Sequence, residues 1–526
     1  MAPERISSES YDEQYRPQLH YSPPSGWIND PNGLVYHDGI YHMFNQNNPN
    51  DVIPGRISWG HAISTDLVHW KTLPCAIPST DENSIFSGSA IIDDDNVTGL
   101  RTDDQIKTLI AIFTAHNLST NEENQWLAYS NDGPAYEKFH FYEKNPIIPN
   151  PNPKKQIDFR DPSVFKYKDR FVILLAAHNH IKIYNSLDLL QWKFVNEFGL
   201  NDGSHAGTWE CPSLFPIKVT IDGVEVEKYV LIVGLTDGAI QTTQYFIGSF
   251  DGEKFINDNF KETELWLDFG PDSYAGITYN KLPDDRRIFI SWMNNWLYAQ
   301  HLNFNVWNGQ MGLARELKLI QVQDRILLSS LPVHELEMLR INPVSIQNVL
   351  IENDFIYKID RNDSIAKKHL VDIEMNLDLS KFKKGDSFDI VFSDENDEIK
   401  ISYKRNEFIL DRSKAGRTDF PNFGRLWKAQ RFIDNSNLKL RIIIDRSSIE
   451  FFADDGLTVM TALFYSKEDI ASQMAIYVHS SANGSIIDLK KLNVYQMKID
   501  DYAILILCMG RKRALSCHIM HIINFI

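Results

Sequence analysis

Short runs of aromatic, aliphatic and β-branched residues alternate with polar turn clusters from Leu19 onward. No apolar repeat of helical period persists over most of the chain. Short alternating runs bounded by Gly, Pro, Asn and Asp are typical of strands, so the pattern predicts an all-β protein. The residues before Leu19 are polar, and we expect residues 1–18 to form an extended N-terminal arm.

Four segments repeat one arrangement, in which a strand is followed by Ser-x-Asp and then by an aromatic residue. The pairs are Ser64/Asp66, Ser130/Asp132, Ser186/Asp188 and Ser249/Asp251, and successive serines are 66, 56 and 63 residues apart. A period of about 60 residues, with roughly four short strands per unit, indicates a β-propeller. Five units would fill residues 19–335. We interpret the repeated aspartates as turn caps.

The pattern changes near residue 318, where Leu and Ile become denser and a proline follows a possible short helix. We therefore predict a linker over residues 336–350. Alternating strands over residues 351–499 predict antiparallel sheets with one wet face, as in a β-sandwich. Residues 500–526 form an apolar tail to which the sequence assigns no role. The predicted architecture is a five-bladed β-propeller followed by a C-terminal β-sandwich.

Composition narrows the functional classes. The 526 residues include 70 acidic and 53 basic side chains, a formal charge of −17. This charge argues against nucleic acid or an anionic membrane as a partner, because both require a basic surface. No run reaches the roughly 18 apolar residues that span a bilayer. The four cysteines form no CxxC pair, and the His and acidic residues show no metal-ligand spacing, so we predict neither a disulfide framework nor a metal site.

Signals for the cellular compartment are mixed. Four N-glycosylation sequons, at Asn96, Asn117, Asn362 and Asn483, favour a secreted glycoprotein. The first residues, MAPERISSES, lack the apolar stretch of a signal peptide. Our expectation is an extracellular protein whose signal peptide is not part of this sequence.

Three acidic motifs each place a carboxylate close to a proline. They are Asp30 in WINDPNG, Asp161 in DFRDP and Glu210 in WECP, separated by 131 and 49 residues. Each alone is explained by an ordinary turn or ion pair, and we expect WINDPNG to be a tight turn between two strands. In a propeller, however, the innermost strand of every blade reaches the central axis, where carboxylates of different blades can meet.

Such a set suits glycoside hydrolysis, in which one carboxylate attacks the anomeric carbon and a protonated one serves the leaving oxygen. Glu210 follows Trp209 and precedes Cys211 and Pro212, a dry setting that favours the acid role. Asp30 lies between amides that stabilise its anion, which favours the nucleophile role. Asp161, next to Arg160, is expected to pair with it and stay ionised.

The segments WINDPNG, FRDPSVF and WECPSLF, together with SWGHAISTDLVHW, FSGSA and DRSSIEFF, resemble glycoside hydrolase family 32, the invertases and inulinases. The resemblance covers residues 16–498 and is closest to yeast-type secreted enzymes. It implies that Asp30 is the nucleophile, Glu210 the acid/base and Asp161 the transition-state stabiliser, with no cofactor. It also implies a fructose subsite lined by Asn29, Gln46, Trp59, Phe86, Ser87 and Arg160.

One departure affects the expected specificity. Asn45 and Asn47 flank Gln46 where the family commonly has aromatic residues, so we expect a more polar subsite rim. The first hypothesis is a retaining β-fructofuranosidase acting on terminal fructosyl residues of sucrose and fructo-oligosaccharides. The alternatives are an exo-inulinase, a fructosyltransferase, an arabinan-cleaving enzyme and a non-catalytic fructan-binding protein. The resemblance also implies a homodimer in which one sandwich helps to shape the partner's site.

Overall fold

The computed structural model describes residues 11–155, 158–236, 241–302, 304–359, 370–383, 385–480 and 484–498. The predicted tail of residues 500–526, the start of the N-terminal arm, and the sequons at Asn362 and Asn483 lie outside the described residues. Within them the chain is strands with three short 3-10 helices, Ala299–His301, His334–Leu339 and Ile470–Ser472. None of the described helices is long and apolar enough to cross a membrane.

The first part of the chain forms five sheets, the blades of the propeller. Blade I contains β1 Gly26–His37, β2 Ile40–Asn48, β3 Ser58–Ser64 and β4 Lys71–Ile77. Blade II contains β5 Asn83–Asp93, β6 Thr108–Asn117, β7 Glu123–Ser130 and β8 His140–Phe141. Blade III contains β9 Arg160–Tyr167, β10 Arg170–Ala176, β11 Ile181–Ser186 and β12 Lys193–Phe198.

The remaining blades close the ring. Blade IV contains β13 Thr208–Ile221, β14 Val224–Thr236, β15 Gln241–Phe250 and β16 Phe255–Asn257. Blade V contains β17 Tyr274–Thr278, β18 Ile288–Trp292, β20 Arg315–Val322 and β21 Arg325–Pro332. In sequence between β18 and β20, the short strand β19 Trp307–Asn308 pairs in parallel with β1 of blade I. The innermost strands β1, β5, β9, β13 and β17 contact one another in sequence and back to β1. This ring confirms the predicted five-bladed propeller.

Every innermost strand carries a β-bulge at an equivalent place. In each blade, three steps along the innermost strand oppose two steps along its neighbour, which leaves one extra residue. The bulges lie at residues 29–30, 86–87, 161–162, 211–212 and 275–276. A bulge bends the strand and re-aims its side chains. The five bulges therefore present side chains from all five blades to one end of the axis.

The motif WINDPNG lies inside β1, so the prediction of a tight turn there is wrong. The chain instead reverses at Asp38 and Gly39, between β1 and β2. Pro31 has no N–H to give to a ladder, and a bulge is one of the few strand positions that tolerates it. Gly33 follows with φ +52°, and a Cβ there would lie 2.8 Å from the Phe44 ring. Turn-forming residues here bend a strand without ending it.

Three of the four repeated aspartates cap turns, as predicted, whereas Asp132 accepts the N–H of residue 138 at 3.1 Å. Asp66 Oδ1 accepts hydrogen bonds from the N–H groups of residues 68 and 69, at 2.9 and 2.7 Å. Asp188 Oδ1 accepts from residues 190 and 191, at 2.9 and 2.8 Å. Asp251 accepts from residues 253 and 254 in the same manner. The repeat is therefore a structural signature of the blade.

The second part of the chain is a sandwich of two six-stranded sheets. One sheet has the order β22 Arg340–Ile351, β33 Ile487–Met497, β24 Val371–Asp378, β29 Asn437–Asp445, β30 Ser448–Ala453 and β31 Thr458–Leu463. The other has the order β23 Asp354–Lys358, β32 Gln473–His479, β25 Ser387–Ser393, β26 Glu398–Lys404, β27 Glu407–Lys414 and β28 Trp427–Gln430. Their facing apolar side chains form one buried core.

The predicted linker over residues 336–350 is wrong. Residues 334–339 form a 3-10 helix, and residues 340–351 form β22, which pairs along its length with β33. The dense Leu and Ile and the proline that suggested a boundary belong to β20, β21 and β22, and β22 is an edge strand with most of its side chains exposed. The propeller and the sandwich therefore follow each other almost without a connecting segment.

A buried group of charged residues joins the two domains, and we call it the interdomain charge cluster: His20, Asp268, Arg315, Asp445 and Glu450. His20 lies 2.8 Å from both Asp445 and Glu450 through its two ring nitrogens. Arg315 binds Asp268 at 2.9 Å and Glu450 at 2.5 Å. All five side chains are at most 1% exposed. Each acid in this cluster therefore has a cationic partner.

The described end of the N-terminal arm is not a free extension. The Arg16 guanidinium is fully buried and donates to Ser22 Oγ at 3.1 Å and to the Pro23 carbonyl at 2.5 Å. The Gln18 N–H donates to Asp445 of the interdomain charge cluster at 2.9 Å. Residues 11–18 thus pack against both domains, because their polar groups find buried partners there.

Candidate active site

Asp30, Asp161 and Glu210 meet at the propeller axis, contributed by the bulges of β1, β9 and β13. The Cys211 thiol lies 3.6 Å from Asp30 Oδ2 and 3.6 Å from Asp161 Oδ2. The Cys211 N–H also donates to Asp161 Oδ2 at 3.0 Å. Cys211 is 3% exposed and has φ +49° in its bulge. One bulge thus carries Glu210 and also bridges the two aspartates.

Asp30 is held by two donors. The Asn29 side-chain amide donates to Asp30 Oδ1 at 2.9 Å, and the Ser87 hydroxyl donates to Oδ2 at 2.7 Å. Only one of the two flanking amides serves it: Asn32 Oδ1 accepts the Gly88 N–H, and among the described residues Asn32 Nδ2 has no hydrogen-bond partner. Burial, followed by the charge of Glu210, raises the pKa of Asp30, and the two donors partly oppose that rise. These donors favour the ionised form at a buried position.

Asp161 does not pair with Arg160, contrary to expectation. Its backbone has φ +62° at the bulge, which turns the two neighbouring side chains to different partners. Burial and the nearby charges of Glu210 and Asp30 raise the pKa of Asp161 well above its usual value, although Arg160 acts in the opposite direction. The expectation of an ion pair that keeps Asp161 ionised is therefore wrong in its partner, since Arg160 binds Glu210.

Arg160 instead binds Glu210. Its Nη2 and Nε atoms donate to Glu210 Oε1 at 2.7 and 3.1 Å, and its Nη1 donates to Asp158 at 2.5 Å. The other oxygen of Glu210 accepts a hydrogen bond from the buried Tyr274 hydroxyl. The expected dry setting of Glu210 is thus wrong, since Trp209 next to it in sequence is directed into the core between blades III and IV.

The expected sugar-contact residues occupy two layers. Asn29, Ser87 and Arg160 touch the carboxylates directly. Phe86 is partly exposed, and its ring stacks on His116 with centroids 4.4 Å apart. Gln46 and Trp59 are 3% and 0% exposed and donate to the carbonyls of residues 85 and 86, both at 3.0 Å. Gln46 and Trp59 therefore form a second layer, which holds the β5 bulge that carries Phe86 and Ser87.

Asn45 and Asn47 do not make the rim polar. Asn45 is 1% exposed, and a Cβ on Gly60 would lie 2.7 Å from its Oδ1 atom, so it packs inside the blade. Asn47 is 9% exposed and donates to the Trp27 carbonyl at 2.9 Å. Side chains alternate along a strand, so the neighbours of Gln46 in β2 face away from it.

Sequence reasoning missed two contacts at the site, those of Tyr274 and Cys211. Tyr274 begins the innermost strand of blade V, immediately before its bulge. The period of about 60 residues predicts an innermost strand in this region, and that period was the available signal. Cys211 is a packed thiol in contact with two carboxylates.

A five-bladed propeller with three carboxylates converging at its axis, followed by a sandwich, defines a glycoside hydrolase. The model of the glycosyl hydrolases family 32 N-terminal domain matches residues 20–330, and that of the family 32 C-terminal domain matches residues 335–496. The chain belongs to glycoside hydrolase family 32. This confirms the resemblance seen in the sequence motifs.

Curated relatives are named for activity on fructans. A levanase of Bacillus subtilis (strain 168) is 37% identical over 93% of this chain and 72% of its own length. An extracellular exo-inulinase of Aspergillus ficuum is 31% identical over 93% of this chain and 95% of its own length. The solved exo-inulinase from Aspergillus awamori superposes with a TM-score of 0.82, at 29% identity over 93% of this chain and 99% of that one.

Proposed function

We propose that this protein is a retaining, exo-acting β-fructosidase that removes terminal fructosyl residues from fructans and fructo-oligosaccharides, and from sucrose. The observation that carries this proposal is the meeting of Asp30, Asp161 and Glu210 around Cys211 and Arg160. The names of the relatives, levanase and exo-inulinase, support a fructan as the substrate.

In the first step the Asp30 carboxylate attacks the anomeric carbon of the terminal fructosyl unit. Glu210 gives its proton to the glycosidic oxygen, the bond between carbon and oxygen breaks, and a fructosyl ester forms on Asp30. In the second step Glu210 removes a proton from water, which attacks the same carbon and releases fructose. Asp30 leaves as a carboxylate, so two inversions give net retention.

The remaining side chains have supporting roles in this proposal. Asp161 accepts hydrogen bonds from fructose hydroxyls, where an interaction that strengthens in the transition state lowers the barrier. Arg160 holds Glu210 in place between the two steps. Asn29, Phe86 and Ser87 line the fructose subsite, and Gln46 and Trp59 support it from behind. The reaction needs no cofactor.

Fructosyl transfer now has less support than hydrolysis. A polar rim formed by Asn45 and Asn47 would have favoured binding of a sugar acceptor, but both side chains are buried. A purely fructan-binding role is less supported as well, because all three carboxylates are present and in contact through shared partners. Extracellular action is supported by the names of the exo-inulinases. Homodimerisation remains a prediction, to be tested by sedimentation against a species of 60.7 kDa.

The proposal is tested by incubating the purified protein with levan, an inulin-type oligomer and sucrose, and separating the products by chromatography. We expect fructose from all three substrates, with no intermediate oligosaccharides at early times from levan. Oligosaccharides as first products would contradict exo-action. Fructose release that is unchanged in the Asp30→Asn and Glu210→Gln variants would contradict the assignment of the site.

A further inference from the structure

The bulges that aim the catalytic residues leave main-chain groups without ladder partners. Buried main-chain groups need hydrogen bonds, so each bulge must be satisfied from elsewhere. At the bulge of blade II, the side chains of Gln46 and Trp59 on blade I supply these hydrogen bonds. They donate to the carbonyls of residues 85 and 86. The preceding blade thus fixes the bulge of the next one.

Blade II does the same for blade III with three side chains. Glu123 Oε2 accepts the Phe159 N–H at 2.8 Å, and Gln125 Nε2 donates to the Phe159 carbonyl at 2.7 Å. Thr114 Oγ1 accepts the Asp161 N–H at 3.0 Å. The Thr114 hydroxyl proton goes to Gln125 Oε1 at 2.7 Å, which leaves its lone pairs for Asp161. We call Thr114, Glu123 and Gln125 the blade II clamp.

The blade II clamp is rigid and reaches both sides of the site. Thr114 and Gln125 are fully buried and Glu123 is 4% exposed. Asp161 adopts φ +62°, a backbone region that non-glycine residues keep only when their surroundings determine it. Glu123 Oε1 also lies 3.5 Å from Arg160 Nη1, and Arg160 in turn binds Glu210. One clamp therefore fixes the direction of Asp161 and of the arginine that holds Glu210.

We propose that Thr114, Glu123 and Gln125 are positioning residues for the glycosidase reaction, acting through the main chain of residues 159–161. This inference rests on the proposed function. The three side chains bind main-chain atoms, one another and, through Glu123, Arg160, and none of them is a catalytic carboxylate, so their loss leaves every catalytic carboxylate in the protein. Loss of these side chains misaligns Asp161 and Arg160. Misplacement of a catalytic group by about 1 Å reduces the rate by roughly 100-fold.

The first test compares Thr114→Val, Thr114→Ser and Thr458→Val. Valine keeps the shape of threonine but removes the acceptor for the Asp161 N–H. We expect kcat on levan to fall at least about tenfold while KM changes much less, because Asp161 acts mainly in the transition state. Thr114→Ser restores the hydroxyl and should recover most of the rate. Thr458 is the control: it is equally buried and bonds the Gln430 carbonyl at 2.8 Å in the sandwich.

The second test compares Glu123→Gln with Glu335→Gln and measures the pH profile of kcat/KM. Glutamine still accepts the Phe159 N–H but removes a negative charge next to Arg160. The uncompensated guanidinium then favours the ionised form of Glu210, so the alkaline limb of the profile should move to lower pH. Glu335, which binds Arg286 at 2.6 Å, serves as the control and should leave the profile unchanged.

The outcomes separate this inference from the function on which it rests. A wild-type protein that releases no fructose overturns the proposed function. An active wild type in which Thr114→Val keeps the same kcat as Thr458→Val, or in which Glu123→Gln leaves the alkaline limb in place, overturns the blade II clamp. Thermal unfolding of each variant shows whether a lost rate reflects misalignment in a folded protein.

Discussion

The molecule contains two groups of closely placed acids with opposite electrostatic design. In the interdomain charge cluster every acid has a cation beside it, so the pKa of Glu450 is lowered to about 2 and that of Asp445 is also lowered, in spite of burial. At the propeller axis the acids face one another, and the pKa values of Asp30 and Asp161 are raised by burial and by like charge. Burial acts to raise the pKa values in both groups, and the placement of cations distinguishes them.

This difference indicates that the interdomain acids serve stability and the axial acids serve catalysis. Breaking a buried ion pair destabilises the fold, because removing one partner leaves the other charge without compensation. Acids held close together without enough cations destabilise the folded state. Their pKa values are shifted, however, and shifted pKa values are what acid/base catalysis requires. We therefore expect substitutions of the acids at the axis to abolish activity without unfolding the protein. Substitutions in the interdomain charge cluster should lower stability and leave the activity of the folded protein unchanged.

The largest effect is expected for Asp30→Asn. Loss of the carboxylate proposed as the nucleophile should reduce kcat on levan by about 10⁴-fold or more. The same change removes one of several like charges, so the melting temperature should stay the same or rise. Steady-state kinetics and thermal unfolding on one preparation check both parts. A melting temperature that falls by many degrees would show that Asp30 contributes to folding in the way that the interdomain acids do.

Glu450→Gln should have the converse result. The substitution leaves Arg315 and His20 without their shared carboxylate in a buried site, and breaking such a pair costs about 3–5 kcal/mol. We expect a clear loss in the free energy of unfolding by denaturant, with kcat unchanged within about twofold below the new melting temperature. A large loss of kcat in folded Glu450→Gln would remove the contrast between the two groups of acids.

The pH dependence of stability provides a third comparison, between two buried histidines. The carboxylates of Asp445 and Glu450 raise the pKa of His20 to about 9, against burial, which acts to lower it. Burial lowers the pKa of His42 in blade I to about 4. The His20 contribution is therefore complete below pH 6.5 and is lost as pH rises to 9. For His42 the folded state disfavours the proton, so stability is lost as pH falls from 6.5 towards 4.

We expect about 3 kcal/mol to be lost on the alkaline side through His20, from the separation of its folded and unfolded pKa values. Denaturant unfolding at several pH values measures this slope. His20→Gln should flatten the alkaline side alone, and His42→Gln should flatten the acid side alone. An unchanged alkaline slope in His20→Gln would mean that His20 is not protonated between its two carboxylates.

The smallest effect is expected for Tyr274→Phe. The hydroxyl of Tyr274 donates to Glu210, and a donor favours the ionised form of a carboxylate. Its removal should move the alkaline limb of kcat/KM to higher pH, with a loss of rate of about tenfold or less. Tyr245→Phe is a suitable control, since Tyr245 is also buried but accepts a main-chain hydrogen bond from residue 328. A shift to lower pH would contradict the role of Tyr274 as a donor.

Sequence reasoning identified the three carboxylates but not their partners. The repeat and the short strands predicted a propeller, and an axis shared by five blades brings Asp30, Asp161 and Glu210 together. The pairing of Arg160 with Glu210 depends on a bulge of one extra residue in β9. Since side chains alternate with a period of two, one extra residue reverses the faces of all that follow. Sequence patterns do not locate such a residue.

The same cause explains the other corrections. WINDPNG has the composition of a turn, yet its proline and glycine serve a bulge within β1. Dense Leu and Ile followed by a proline suggested a linker over residues 336–350, yet β22 is an edge strand of the sandwich, with β33 on one side only. Local composition indicated backbone freedom in both segments, although WINDPNG is largely buried. What it lacked was the pairing partner, which is a property of the tertiary fold.

The stereochemistry of transfer tests the central assignment most directly. Wild-type protein is incubated with levan in the presence of methanol, and the methyl fructoside is analysed by NMR. If Asp30 forms a fructosyl ester that a second nucleophile displaces, methanol in place of water gives the methyl β-fructofuranoside, with the configuration of the substrate retained. The α-anomer would contradict a nucleophilic role for Asp30, and so would β-fructoside formed at an undiminished rate by the Asp30→Asn variant.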